Sequence, residues 1–451
     1  MSAEAPPAAW NNAAPAGSGR DIAADVAVCG GGVAGVMAAV ASARAGARTV
    51  LIEKYGFLGG NATAGAVAQF NSWRTASGRT VVAGLASEVV SRLTEYGAAG
   101  EHATFAMSTG HKMDRVEYAP EVLKLVLDDL VTAAGVTPLF HASLFGVRAE
   151  RRRVAALRVL AKGEILTVRP KVVIDATGDI DVVLRAGGRF LPLEDGEALQ
   201  PATMMFRFGP IDFAKFGAIP RDDLAALAHR GFADGRLARA ALHASRDPFS
   251  PDAWFNISRL AVDATDPLAL TAAEIEGRKQ AWRAAEFLRC EVPGCDRGRL
   301  IAFATQVGVR ETRRIEGDYV LDADDLRHPT QFHDAIAMGA YPIDVHPARG
   351  DDLRYEEFGD DHAYQIPYRC LIPRSLDNVL VAGRGVSASH TAQAAIRVMT
   401  ISMAVGQAAG TAAAMTAGDA GSADIQVRNV SLPELQRSLI DAGACIAEAT
   451  S

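Results

Sequence analysis

The stretch from Asp25 to Glu53, DVAVCGGGVAGVMAAVASARAGARTVLIE, restricts the fold more than any other part of the chain. Val26 to Cys29 is an apolar run that predicts a strand, and it ends in Gly30, Gly31 and Gly32. Gly35 completes the spacing G-x-G-x-x-G, while Val33 and Ala34 open a predicted helix. Glycines at this spacing permit a tight turn and let backbone N–H groups approach a pyrophosphate, which rests on the positive end of the helix. Val50, Leu51 and Ile52 predict a second strand, and Glu53 stands 18 residues after Gly35. An acid at that place accepts from ribose hydroxyls and repels a 2′-phosphate. The glycine spacing by itself also fits an unrelated turn. Strand, helix and distal acid in register point instead to a bound dinucleotide.

Glu53 is followed by Lys54, then YGFL, Gly59, Gly60 and Asn61, an extension that a plain NAD unit does not need. A glycine pair there lets the chain pass close to an isoalloxazine ring. At this point the chain resembles the FAD-dependent oxidoreductases of the glutathione reductase superfamily, in a bacterial family close to the fumarate-reductase and succinate-dehydrogenase flavoproteins. Three further segments carry the same resemblance: KVVIDATGDID from Lys171 to Asp181, VGVRETRRIEGDYVL from Val307 to Leu321 with YPIDVH at Tyr341 to His346, and Tyr368 to Ala414. It implies an α/β architecture, with a Rossmann-like FAD-binding domain on a parallel central sheet and an inserted mixed α+β substrate domain. It also implies FAD contacts from Lys54 and Asn61, from the turn Ala176, Thr177, Gly178 and Asp179, and from Gly383, Arg384, Ser389 and His390.

A chain of 451 residues with 49% hydrophobic content can bury more than one core. Its net charge of −7 gives no attraction to phosphate backbones, which argues against nucleic acid as a partner. Residues 1 to 24, rich in Ala, Pro, Asn and Gly, predict a disordered tail without the basic start and apolar core of a secretory signal. Ile401 to Gly418 is interrupted by Ser402, Gln407 and two threonines, so no membrane span is expected and the protein reads as cytoplasmic. The five cysteines form no metal-ligand cluster. Cys290 and Cys295 share the C-x4-C spacing of the glutathione reductase disulfide, but lie far from the first glycine motif, so ordinary thiols are the preferred reading.

Apolar spacing predicts helices over Val82 to Tyr96 and Pro120 to Ala134, then β structure over Val136 to Phe140 and Ser143 to Arg148. Val154 to Leu160 and Glu164 to Val168 predict a hairpin, after which Lys171 to Asp175 returns to the main sheet. The expected division is an FAD-binding domain over 25–189 and 369–418, a substrate domain over 190–368 and a C-terminal helical segment over 419–451.

Asn378 to Ala382 predicts a strand leading into Gly383, Arg384 and Gly385. Gly383, Gly385 and Ala388 imitate a second fingerprint, so an NAD site has to be weighed. No second strand with a terminal acid follows, and a long Ala/Gly-rich helix from Thr391 to Met415 is expected instead, closing over the same FAD. Ser387, Ser389 and Thr391 are suitable N-caps, and the helix start would aim its positive end at the flavin pyrimidine. Arg384 stands where many of the wider superfamily carry an acid for the ribityl chain, so that contact must come from elsewhere.

Four residues are the catalytic candidates. His390 would face the ring from the helix start, or serve only as a capping histidine. Arg397, seven residues on and two turns along the same face, would hold a substrate carboxylate or an internal salt bridge. Arg310 of RETRR, like Arg313, reads as a site residue or a charged strand exit, and His346 as a site residue or a loop histidine. The segment after Gly60, NATAGAV, has no histidine for covalent flavin attachment. The expectation is a flavoenzyme that takes hydride from a small organic substrate while a side-chain base takes the proton. A reductase or monooxygenase using NAD(P)H, and a non-catalytic flavin-binding or RNA-modification subunit, are the alternatives. O2, a quinone or a protein carrier would reoxidise the flavin; substrate identity and oligomeric state are left open.

Overall fold

The structure, a computed structural model, describes residues 19–106, 112–194, 196–347, 354–418 and 425–447. Most of the expected tail and parts of the C-terminal segment lie outside them.

The central sheet has seven strands. Thr137–Leu139, Thr49–Ile52, Asp21–Cys29 and Glu164–Asp175 run parallel in that order, and Val379–Val381 adds in parallel to the far end of Glu164–Asp175. Ala142–Glu150 and Arg153–Ala161 complete it as an antiparallel meander, so the sheet is mixed where a parallel one was expected. The opening strand is buried on both faces: Val26 and Val28 enter one apolar cluster, Ala27 and Cys29 the other. This is why its sequence is a continuous apolar run rather than an alternating one.

Two expectations are corrected here. The opening strand starts at Asp21, inside the segment read as a tail, because residues 21 to 24 pair with Thr167 to Pro170. The hairpin strand at Glu164 and the return strand at Lys171 are one strand, Glu164–Asp175. Its first half pairs with the meander at Leu157 to Ala161, and its second half pairs with Val379–Val381.

The helix Val33–Arg44 packs on one face of this sheet, and the long helix Met399–Gly418 packs against it. The small residues of the long helix allow this approach. A methyl group at Gly406 or Gly410 would run into the backbone at Ala34 or Ala38, and Ser42 Oγ donates to the Gly410 carbonyl at 3.0 Å.

The single helix expected over Thr391 to Met415 is two helices, His390–Ile396 and Met399–Gly418, bent by 93°. No proline or glycine marks the break. The short helix is tied sideways instead: Gln393 donates to the Arg310 carbonyl at 3.2 Å and accepts from Gln200 at 3.1 Å, while the long helix follows Val33–Arg44. Arg397 therefore caps the short helix at the bend rather than sharing a helical face two turns after His390. No single described helix is long and apolar enough to cross a membrane; the bent pair passes only when its two parts are joined.

A second sheet, ordered Ala244–Arg246, Ala253–Phe255, Phe206–Gly209 and Arg299–Phe303, packs on the helix Pro267–Glu291 to form a separate core. Leu321, Ile336, Tyr364 and their neighbours, though within the excursion from 190 to 368, join the first core. All five cysteines are free thiols, and Cys295 is buried in the second core.

Candidate functional site

The glycine turn makes a cradle. Gly30 has φ 100°, and a side chain there would collide with the Ala176 carbonyl, so the turn lies directly on the Ala176–Thr177 backbone. Gly31 N–H donates to Glu53 Oε2 at 2.7 Å, and its carbonyl accepts from Gly59 N–H at 2.8 Å, which joins the first and second glycine segments. Gly32 caps Val33–Arg44 without any side-chain cap, and a Cβ built on it meets nothing within 4 Å. The donors of the first helical turn, at Val33, Ala34 and Gly35, thus have no capping oxygen, beside open space at Gly32. This suits a pyrophosphate. Glu53 Oε1 also accepts from Tyr55 N–H at 2.8 Å, and each carboxylate oxygen retains a lone pair for a ribose hydroxyl. Burial pushes the Glu53 carboxyl upward against these two hydrogen bonds.

Gly178, Asp179, Gly383, Arg384 and Asn61, also expected at the cofactor, lie close together beside this turn. A Cβ on Gly383 would sit 3.3 Å from Ala34, and Gly178 lies under the guanidinium of Arg384. Arg384 donates to Asp179 Oδ1 at 3.2 Å and to the Val309 carbonyl at 2.7 Å, and Asn61 donates to that same carbonyl at 2.9 Å. The turn is locked by Asp175, which accepts from the hydroxyl and N–H of Thr177 and from Val182 and Val183 N–H. Burial pushes its carboxyl up to about 6. Lys54, next to Glu53, is exposed, with Nζ 5.3 Å from the Tyr55 ring centroid. The donor set, the open face at Gly32 and the glycine contacts fit FAD.

Next to Asn61 and Arg384 opens a cavity of about 480 Å³. Arg310, His346 and Arg397, far apart in sequence, all line it, together with Asp344. Asp344 Oδ2 accepts from Tyr341 Oη at 3.1 Å and lies 3.0 Å from His346 Nε2 and 3.4 Å from Arg397 Nη2. Burial and the Arg310 guanidinium push His346 down to about 3, so it is neutral at physiological pH and donates from Nε2 to the Asp344 carboxylate. Burial opposes ionisation of Asp344, but His346, Arg397 and Arg310 hold its carboxyl well below the usual range. Arg310 donates to Thr203 Oγ1 at 2.8 Å and to the Pro201 carbonyl at 2.5 Å. Burial, Arg397 and Arg239 pull its guanidinium down to about 9.

His390 is placed elsewhere. It is buried, its Nδ1 lies 2.9 Å from Glu311 Oε1, and it does not line the cavity. The buried Glu311, which also accepts from Gln200 N–H at 3.2 Å, holds the imidazole through Nδ1, the packing role that the sequence left open beside a place at the ring. Ser389, as expected, caps the short helix by accepting from Ala392 N–H at 3.3 Å, whereas Ser387 Oγ accepts from Gly317 N–H at 3.1 Å. Arg313 lies over Phe190, 6.0 Å from its centroid.

Sequence reasoning missed Asp344 and His243. Asp344 lies in the strand Ile343–Val345, two residues before His346 within YPIDVH, a legible signal. His243 has no motif around it. Its Nε2 lies 3.1 Å from Gln69 Nε2, and the Gln69 oxygen accepts from Ser245 Oγ at 3.0 Å. The amide nitrogen therefore donates to His243, which keeps its own proton on Nδ1. Burial, Arg115 and Arg239 push this imidazole down to about 4.

A family model described as FAD dependent oxidoreductase matches residues 25–439. No curated protein sequence matches the chain. Among solved structures the chain is similar to a geranylgeranyl bacteriochlorophyll reductase-like protein from Thermoplasma acidophilum, at 15% identity and TM-score 0.47 over 94% of this chain and 85% of that one. It is similar also to p-nitrophenol 4-monooxygenase from Pseudomonas putida, at 13% identity and TM-score 0.48 over 95% and 87%. A flavin-dependent brominase gives 12% identity and TM-score 0.46 over 93% and 83%. Likenesses this distant carry no argument about the reaction, and they do not single out the fumarate-reductase-like branch. With a cradle that fits the cofactor and a family match over nearly its whole length, the chain belongs to the FAD dependent oxidoreductase family: it is an FAD-dependent enzyme.

Proposed function

We propose that this enzyme is a dehydrogenase or oxidase that removes hydride from a small organic substrate held in the arginine-lined cavity, with His346 as the base. The supporting observation is the hydrogen-bonded pair His346–Asp344, placed between Arg310 and Arg397 in a cavity that reaches Asn61 and Arg384 of the cofactor turns. FAD supplies two-electron hydride acceptance when it is bound. Asp344 fixes the imidazole tautomer by accepting from Nε2, which leaves the lone pair on Nδ1 to take the substrate proton. Tyr341 and Arg397 hold the Asp344 carboxylate in turn, so the pair keeps its orientation. Val67, Phe105, Met113, Met205 and Leu242 give the cavity an apolar portion against which the body of a substrate can pack. Non-covalent FAD, a cytoplasmic setting and reoxidation by O2, a quinone or a protein carrier belong to the same proposal.

Anaerobic mixing with a panel of hydroxy acids, amines and alcohols tests it. Bleaching of the visible flavin band by one of them is expected, and bleaching by NADH alone would make the enzyme a reductase instead. H346Q should keep FAD and slow bleaching by about 10²- to 10⁴-fold, the usual contribution of a positioned base.

A further inference from the structure

We infer that the substrate carries a carboxylate, which Arg310 and Arg397 hold, and an apolar body that packs against Phe105, Met113, Met205 and Leu242. This rests on the reading that substrate is oxidised in this cavity.

Arg310 forms no ion pair with any described carboxylate. Its hydrogen bonds run from Nη1 alone, to the Pro201 carbonyl and Thr203 Oγ1. Among the described residues Arg397 reaches only Asp344, through Nη2, and its Nε is a buried donor with no described partner. Asp344 is already shared with His346 and Tyr341. Six arginines, Arg115, Arg221, Arg239, Arg310, Arg384 and Arg397, therefore line the cavity beside one described carboxylate, Asp344, on a chain whose net charge is −7. An uncompensated buried charge is costly, and an anion brought by a ligand removes that cost. The planar fork of donors on Arg310 and on Arg397 matches the two oxygens of a carboxylate, and neither side chain loses its existing bonds by accepting one. Such a ligand would also offset the positive charges that depress His346, which makes its Nδ1 a stronger base only when substrate is present.

Titration of the FAD-loaded protein with benzoate and hexanoate, followed by perturbation of the visible flavin spectrum, tests the site without turnover. Benzyl alcohol, 1-hexanol and inorganic phosphate are the comparison probes. Saturable perturbation by the two carboxylates is expected, at least about tenfold tighter than by the neutral analogues or phosphate, and weakened about tenfold or more by R310Q. If R310Q fails to hold FAD, R397Q, whose side chain bonds only Asp344 among the described residues, gives the same reading. Equal binding of the neutral analogues or of phosphate, or carboxylate binding unaltered in both variants, overturns the inference. Arginine-dependent carboxylate binding without bleaching by any carboxylate or alcohol would sink the oxidase reading while leaving this site standing. Bleaching by alcohols with arginine-independent carboxylate binding would do the reverse.

Discussion

Single side chains in this protein are set by a few strong local contacts. Glu53 shows it: one carboxylate fixes the glycine turn through Gly31 and the following loop through Tyr55. E53A is expected to weaken FAD binding by about 10- to 100-fold, the weight of hydrogen bonds to a charged group, measured by flavin fluorescence titration. His346 makes a second case. With its imidazole pushed down to about 3 by burial and Arg310, the free enzyme holds it neutral far below the ordinary 6.5. Because kcat/KM reports groups of the free enzyme, its acid limb is expected well below pH 6.5, and the limb of kcat, reporting the substrate complex, is expected at higher pH. An acid limb of kcat/KM at pH 6.5 or above would remove His346 from the role of base.

Secondary elements here are shaped by what they lie against. The Ala/Gly content of Met399–Gly418 serves its contact with Val33–Arg44, since Gly406 and Gly410 face backbone atoms of Ala34 and Ala38. G410V is expected to destabilise the protein by about 1–3 kcal/mol through overpacking, visible as a lower Tm. L268Q, on an 81% exposed position, should leave Tm nearly unchanged, and equal effects of the two would refute the packing account. The strand Glu164–Asp175 was legible in pieces only, because its two halves have different partners and therefore different apolar patterns. The bend at Arg397 was not legible at all. Gln393, Gln200 and Arg310 create it through contacts more than 80 residues apart in sequence.

At the scale of the whole molecule, the cavity draws its walls from both cores, and burial there sets the response to pH. His243, pushed down to about 4 by burial, Arg115 and Arg239, and His346, pushed down to about 3, are both neutral in the folded protein. An unfolded imidazole titrates near 6.5, so on acidification the unfolded chain binds protons that the folded one refuses. Their contribution to stability is complete above pH 6.5 and is lost as pH falls toward 4 and 3. Asp175, raised to about 6 by burial, acts in the opposite sense: its contribution is complete below 3.8 and is lost as pH rises through 6. Tm measured between pH 4 and 6.5 should therefore fall less steeply with acid in the H243Q/H346Q double variant than in the wild type. Identical slopes would show that neither histidine is buried neutral.

The cofactor, the architecture around the first glycine turn and the family were all written in the chain itself. A strand, a turn, a helix and an acid at fixed spacing are local objects, and their geometry follows from residues within 30 positions of one another. The reacting end was different. Arg310, His346 and Arg397 were each visible as candidates, yet nothing in their spacing said that they meet, that His390 pairs with Glu311, or that Asp344 and His243 join the wall. Those choices are made by competition among distant polar groups for partners in a partly buried space, and only the folded arrangement decides which donor reaches which acceptor.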